Sequence, residues 1–200
     1  MVGIRVLFYR PLLAMPGGLA IVLEPTVALL VYAVLVVWAT GNGRSRKRVV
    51  LIATSPGLIA AAVQIVHIAA ENFIRLGAPS DGIVTVGFML ATFLIWGTAG
   101  YRCARSTGSI ASGTLAGSWS AVVSMSIVVA VGIALEFYWT TPMPDYVANW
   151  PEFKCSGWTD VHAFTMANTL DSALSHLVAG PIVGAFVGGV GSVIARLRGG

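Results

Sequence analysis

The sequence predicts an all-α integral membrane protein, a bundle of about five transmembrane helices with a long extracytoplasmic loop before the last helix. Two features of the composition indicate this fold class. Apolar residues make up 56% of the chain and charged residues only 10%, against about 25% charged in an average soluble domain. So few charged side chains cannot cover a soluble fold of this size, whereas lipid solvates Leu, Val and Ile directly.

The third feature is the length of the apolar stretches. A helix needs about 20 apolar residues to cross the hydrocarbon core, and five stretches reach this length. None shows the strict alternation of a barrel strand, and each is about twice as long as such a strand requires. We therefore predict a single helical membrane domain over residues 1–200, with spans at about 19–40, 49–70, 83–101, 117–139 and 173–195.

Two segments fall outside this regular pattern. Residues 1–18, interrupted by Pro16, Gly17 and Gly18, have two interpretations, an interfacial segment or part of a sixth span. The connection 140–172 is predicted to be external, with an irregular, proline-broken first half. Its second half, 160–172, is predicted to be helical, either lying on the membrane or running straight into the last span.

The distribution of Lys and Arg predicts the orientation. The first loop, the third loop and the C-terminal tail share one side and carry Arg44, Arg46, Lys47, Arg48, Arg102, Arg105, Arg196 and Arg198. The other side carries Arg5, Arg10, Arg75 and Lys154. Because cytoplasmic loops hold the excess of positive residues, we expect a cytoplasmic C-terminus in a multi-pass protein of a bacterial inner membrane. The cations are too dispersed to indicate a nucleic-acid partner.

The most specific local pattern lies in the last span. Gly180, Gly184, Gly188 and Ser192 recur every four residues, so they share one helix face and form a glycine-zipper groove that another helix can approach closely. The row fits packing against a helix of the same chain, or association with a second copy or a partner subunit. Gly191 lies off the row and is expected to matter less. Pro181 is expected to kink this helix.

A second pattern is a set of polar residues inside or at the ends of the spans. Gln64, His67 and Glu71 share an arc of about 60° on the second helix. Ionisable residues at membrane depth are costly and therefore suggest a functional site. The full predicted cluster is Glu24, Gln64, His67, Glu71, Glu136, Asp171 and His176. We expect His67 and Glu71 to face the bundle interior.

The polar cluster has three interpretations. Its members can reach headgroups and water near the interface, line a water-accessible cavity for a proton, ion or small solute, or hold a metal or tetrapyrrole through His67, His176 or His162. No HExxH, ExxH or paired HxxxH motif is present, so no metal site is predicted and no cofactor is indicated. The serines of the fourth span, Ser118, Ser120, Ser124 and Ser126, are expected to be structural.

These observations favour a non-enzymatic function. The short cytoplasmic loops leave no room for a further domain, and no GxSxG or phosphate-loop motif occurs. We expect a membrane bundle that assembles with itself or serves as an accessory subunit of a larger membrane complex, with the lipid bilayer and other membrane subunits as partners. The alternative is a transporter or channel for a proton, ion or small solute, with the outer polar cluster at its mouth.

Overall fold

The computed structural model describes residues 10–14, 17–40, 44–73, 79–138, 148–149 and 151–198. These residues form seven helices and no β-strand. In chain order the helices are α1 (Arg10–Ala14), α2 (Gly18–Thr40), α3 (Arg44–Phe73), α4 (Ser80–Thr107), α5 (Ile110–Tyr138), α6 (Pro151–Ser156) and α7 (Val161–Leu197).

Five of these helices, α2, α3, α4, α5 and α7, are long and apolar enough to cross a membrane. The prediction of a helical chain with five helices able to span a membrane is therefore confirmed for the described residues. Most helices extend beyond the predicted apolar spans because polar residues add turns at their ends. For the chain before α2 the sequence left open an interfacial segment or part of a sixth span. Residues 1–9, 15 and 16 of this segment lie outside the described part.

The last helix is much longer than the predicted span of 173–195. It runs without interruption for 37 residues, about 55 Å at 1.5 Å per residue. Asp160 caps its first turn, since the Asp160 side chain accepts a hydrogen bond of 3.0 Å from the Ala163 amide. Residues 161–172, predicted to belong to a long connection, are therefore the start of α7. Residues 139–147 and 150 of that connection lie outside the described part.

The helices pack as a group of four with a fifth at one side. α5 and α7 make the most extensive contact, α4 packs against both, and α3 packs against α4 and α5. α2 packs mainly against α7. The central apolar cluster joins residues from all five, namely Tyr32, Ala60, Trp96, Ala121, Val122, Met125, Val129, Ala173 and Leu177.

A tight turn fixes the antiparallel pairing of α4 and α5. Gly108 adopts a left-handed conformation with φ of 69°, which a side chain would disfavour, and its amide donates to the Ala104 carbonyl. Ser109 then caps α5 by accepting a hydrogen bond from the Ser112 amide. Only Gly108 and Ser109 separate the two helices, so α5 must return directly along α4.

The ends of α3, α4 and α7 gather cationic side chains at one end of the bundle. Val49 and Cys103 share an apolar cluster, which brings the start of α3 beside the end of α4. Gly191 packs against Tyr101, which brings the end of α7 to the same place. The exposed cations there are Lys47, Arg48, Arg102, Arg105, Arg196 and Arg198.

Candidate functional site

The glycine row of α7 lies against α5 of the same chain. A methyl group added at Gly188 would lie 2.7 Å from the Cα of Gly117, and one at Gly184 would lie 2.7 Å from the Gly117 carbonyl oxygen. At Gly180 it would lie 2.7 Å from a side-chain carbon of Met125. The two backbones therefore touch at Gly117, the Met125 side chain packs over Gly180, and this surface is occupied within the chain.

A second small-residue contact joins α7 to α4. Gly191 is buried, and a methyl group there would overlap the Gly97 carbonyl and lie 3.2 Å from the Tyr101 amide. Gly100 meets the backbone of Gly188 in the same way. Gly191 lies off the row but is packed as closely as the row, so its position gives no reason to expect a smaller effect of substitution there.

The five residues of the predicted polar cluster whose side chains are described do not form one buried group. Glu24, Asp171 and His176 are exposed on the outside of the bundle, while His67 is buried and Gln64 half-buried. The side chains of Glu71 and Glu136 lie outside the described part. The His176 ring bonds to the Ser172 carbonyl of its own helix, at 2.7 Å.

Gln64 and His67 turn towards α4. The Gln64 amide donates to the Thr92 hydroxyl at 3.3 Å, and the Nε2 atom of His67 lies 3.3 Å from the Thr85 hydroxyl. The imidazole also stacks on the Phe88 ring, with centroids 4.9 Å apart. The arc shared by these two side chains therefore faces the bundle interior at the α3–α4 contact.

Further hydrogen bonds continue this line of polar groups through the bundle. The Trp96 indole in α4 donates to the Ser124 hydroxyl in α5 at 3.1 Å. The Trp119 indole in α5 donates to the Thr54 hydroxyl in α3 at 3.2 Å. We call the whole set the polar seam: Thr54, Gln64, His67, Thr85, Thr92, Trp96, Trp119, Ser120 and Ser124.

The polar seam can hold helices together. Hydrogen bonds between helices contribute about 0.6 kcal/mol each on average in a membrane protein, and up to about 1.7 kcal/mol. Apart from His67, its side chains carry no ionisable group. In the part of the chain that the structure describes, no group of three or more His, Cys, Asp or Glu residues could hold a metal ion.

A different polar surface lies on the outside of α7. Five exposed residues follow the helix period along its first half, namely Asn168, Asp171, Ser172, Ser175 and His176. We call this surface the α7 stripe. Further along, the same helix carries a shallow apolar groove lined by Ala185, Phe186, Gly189, Val190, Val193 and Ile194. The exposed side of α7 thus changes from polar to apolar along its length.

The α7 stripe lies at the same level along the bundle as an exposed apolar surface on α2. Val22 shares an apolar cluster with Met166 and Leu170, and the Tyr32 hydroxyl donates to the Leu177 carbonyl. These contacts set the first turns of α2 against the first half of α7. On the free side of α2, Leu19 is 58% exposed, Leu23 45% and Val27 55%.

Comparison with known proteins adds no family to this geometry. The chain matches no protein-family model, no curated protein and no solved structure. The two candidate sites are therefore described by the helices that surround each of them. The polar seam lies between α3, α4 and α5, where every member except Ser120 bonds to another member. The α7 stripe instead points away from the bundle.

Proposed function

We propose that this chain is a non-enzymatic subunit of a larger membrane assembly, built with further copies of itself or with another membrane protein. The observation that carries the proposal is that the α7 stripe and the exposed apolar side of α2 lie at the same level along the bundle. Surroundings that suit Asp171, Ser175 and His176 do not suit Leu19, Leu23 and Val27, because hydrocarbon penalises ionisable groups and water penalises apolar surface.

A neighbouring protein surface removes this mismatch, whichever of the two surfaces it covers. Polar side chains that face a partner helix can form hydrogen bonds with it, and a partner that covers α2 shields Leu and Val from water. The apolar groove continues the exposed side of α7 and lengthens the surface available for contact. The glycine row is already occupied by α5, so association is expected through this outer side of α7 and α2.

The distribution of Lys and Arg side chains indicates which end of the bundle faces the cytoplasm. Six exposed Lys and Arg side chains gather where α3 begins and where α4 and α7 end, whereas Asp81 lies at the opposite end, in the first turn of α4. We infer that the cationic end faces the cytoplasm, because positive residues are enriched on that side.

Transport of a proton, ion or small solute is the second candidate function. The polar seam favours it, since His67 lies at one end of the seam and Thr54 and Trp119 lie towards the cationic end. It ranks second because the hydroxyl, amide and indole groups of the seam are largely used in bonds between helices. Flux in proteoliposomes that is lost in the variant His67→Ala, with the fold retained, would favour transport.

Two measurements test the subunit proposal. The first is the mass of the complex extracted in mild detergent, where a multiple of the 20.9 kDa chain indicates self-assembly and an additional chain indicates another subunit. The second is labelling of Ser175→Cys by an impermeant maleimide in a Cys155→Ser background, with Ser80→Cys as the matched exposed control.

We expect Ser175→Cys to react more slowly than Ser80→Cys in native membranes and equally fast once the chains are dispersed in harsh detergent. Cys103 is buried and does not compete for the reagent. A single-chain mass together with equal labelling of both positions in native membranes would overturn the proposal.

A further inference from the structure

The shallow apolar groove on the outside of α7 is formed by two rows of residues spaced four apart. The rows are Ala185, Gly189 and Val193, and Phe186, Val190 and Ile194. Ala185 and Gly189 leave the floor of the groove without a large side chain. Phe186 stands beside them and is 73% exposed, so it forms a wall. The groove is thus a narrow apolar channel along the helix axis.

The length and depth of this groove match one leaflet of a bilayer. Ala185 and Ile194 mark its two ends, and they are about 14 Å apart along the axis at 1.5 Å per residue. The hydrocarbon core of a membrane is about 30 Å thick, so each leaflet supplies about half of that depth. The groove lies in the second half of α7, which leads to the cationic end of the bundle. It therefore spans the hydrocarbon of the leaflet at that end.

Two arginines flank the point where the groove ends. Leu197 lies one turn beyond Val193, continues its row and is 79% exposed. The helix is still regular here, since the Arg198 amide donates to the Ile194 carbonyl at 3.2 Å. Arg196 and Arg198 are the neighbours of Leu197, so they project about 100° to either side of it, and both are exposed. The apolar surface thus ends between two cationic side chains.

The helices around these arginines supply no acidic side chain to pair with them. Asp and Glu are absent from residues 25–70, 82–135 and 172–200. The ends of α2, α3, α4, α5 and α7 that meet at the cationic end all lie within these ranges. The two guanidinium groups are therefore available to an anion from outside the bundle.

We propose that the groove and the two arginines bind one anionic phospholipid, with an acyl chain along the groove and the phosphate between Arg196 and Arg198. Guanidinium groups bind phosphate oxygens through paired N–H donors, and basic pockets between membrane helices hold anionic headgroups. A phospholipid supplies both the apolar chain and the anion at the depths where the groove and the arginines lie. The site occupies the second half of α7 and does not depend on the subunit contact proposed for the α7 stripe.

Native mass spectrometry of the full-length, delipidated chain in mild detergent tests the charged part of the site. Dioleoyl phosphatidylglycerol is the probe, and dioleoyl phosphatidylcholine, which has no net charge, is the comparison. We expect one phosphatidylglycerol molecule to bind each chain in preference to phosphatidylcholine. The double variant Arg196→Gln/Arg198→Gln should weaken this binding about 25-fold, roughly fivefold for each cation lost.

The matched control is the double variant Lys47→Gln/Arg48→Gln. It removes the same charge from the same end of the bundle, but from α3, which packs against α4 and α5 and has no extensive contact with α7. It should have little effect on the binding of phosphatidylglycerol. Equal losses in the two double variants would indicate general attraction of anions to the cationic end and would overturn the site.

Ala185→Leu tests the groove, because the larger side chain fills its floor while leucine remains suited to lipid. This variant should weaken the binding of dioleoyl phosphatidylglycerol, whereas Ala33→Leu, at an exposed position of α2, should not. Phe186→Ala removes the exposed wall and should also weaken binding, which keeps the test valid if Ala185→Leu does not fold.

Three further outcomes would overturn the lipid site. Unchanged lipid binding in both groove variants would leave a phosphate site without an acyl chain. Glycerol 3-phosphate that displaces the lipid at equal concentration would mean the same. A co-purified protein chain that is lost in the groove variants would assign the groove to a partner helix.

Discussion

The indole nitrogen of Trp96 in α4 donates a 3.1 Å hydrogen bond to the hydroxyl of Ser124 in α5. Trp96 is 1% exposed and Ser124 is 0% exposed, and the serine donates its own proton to the Ala121 carbonyl. The hydroxyl therefore accepts and donates at once. This bond fixes the rotation of α4 relative to α5 in the middle of the apolar cluster.

We expect Trp96→Phe and Ser124→Ala to be coupled. In a double-mutant cycle the interaction energy should fall at about 0.6–1.7 kcal/mol, the range of hydrogen bonds between membrane helices. Reversible unfolding in mixed detergent micelles measures the free energies of the four chains. Additive effects of the two substitutions would mean that the bond contributes nothing to stability.

Substitution of Gly188 tests the backbone contact between α5 and α7. Gly188→Ala places a methyl group 2.7 Å from the Cα of Gly117, so the helices must separate, at a cost of about 1–3 kcal/mol for overpacking. Gly132→Ala in α5 is the matched control, because nothing lies within 4 Å of its added methyl group. Helix propensity should make the control neutral or stabilising by up to about 1 kcal/mol.

The bond from Tyr32 to the Leu177 carbonyl predicts a conditional effect of Tyr32→Phe. In the native chain this substitution leaves the carbonyl freed by Pro181 without its donor, at a cost of about 1–3 kcal/mol. In a Pro181→Ala background the restored amide takes over, so the cost should shrink. An undiminished cost in that background would show that Tyr32 acts through packing alone.

The inferred orientation predicts opposite accessibility at the two ends of the bundle. In intact cells an impermeant maleimide should modify Cys155, which is exposed. Arg105→Cys in a Cys155→Ser background should react only after the membrane is permeabilised. Cys103 cannot serve as the inner reporter because it is buried. The reverse labelling pattern would invert the orientation.

The helical fold and its spans could be predicted because a transmembrane helix is recognised from the apolar composition and the length of a stretch of sequence, without knowledge of its neighbours. Periodicity likewise placed Gln64 and His67 on one arc. The helix over 160–172 was also predicted, with continuation into the last span as one of two alternatives. Asp160 marks its start, because aspartate is a favoured N-cap residue.

The residues on other helices to which a side chain bonds or packs could not be predicted in the same way. The spans are apolar on all sides, so their periodicity does not distinguish the inward side from the lipid side. Ser124 and Trp96 are therefore indistinguishable in the sequence from residues that bond within their own helix. Gly191 shows the same limit, because a row of small residues identifies one close contact and gives no sign of a second.

The position of α7 at the centre of the packing affects biosynthesis. α2 is the first long helix of the described chain to be synthesised, and its main neighbour is the last. At 5–20 residues per second, roughly 8–30 s pass between the completion of α2 and that of α7. During this interval the inner side of α2 and the bare glycine surface of α5 have no native neighbour. Insertion factors or lipid must occupy both surfaces until the final helix enters the membrane.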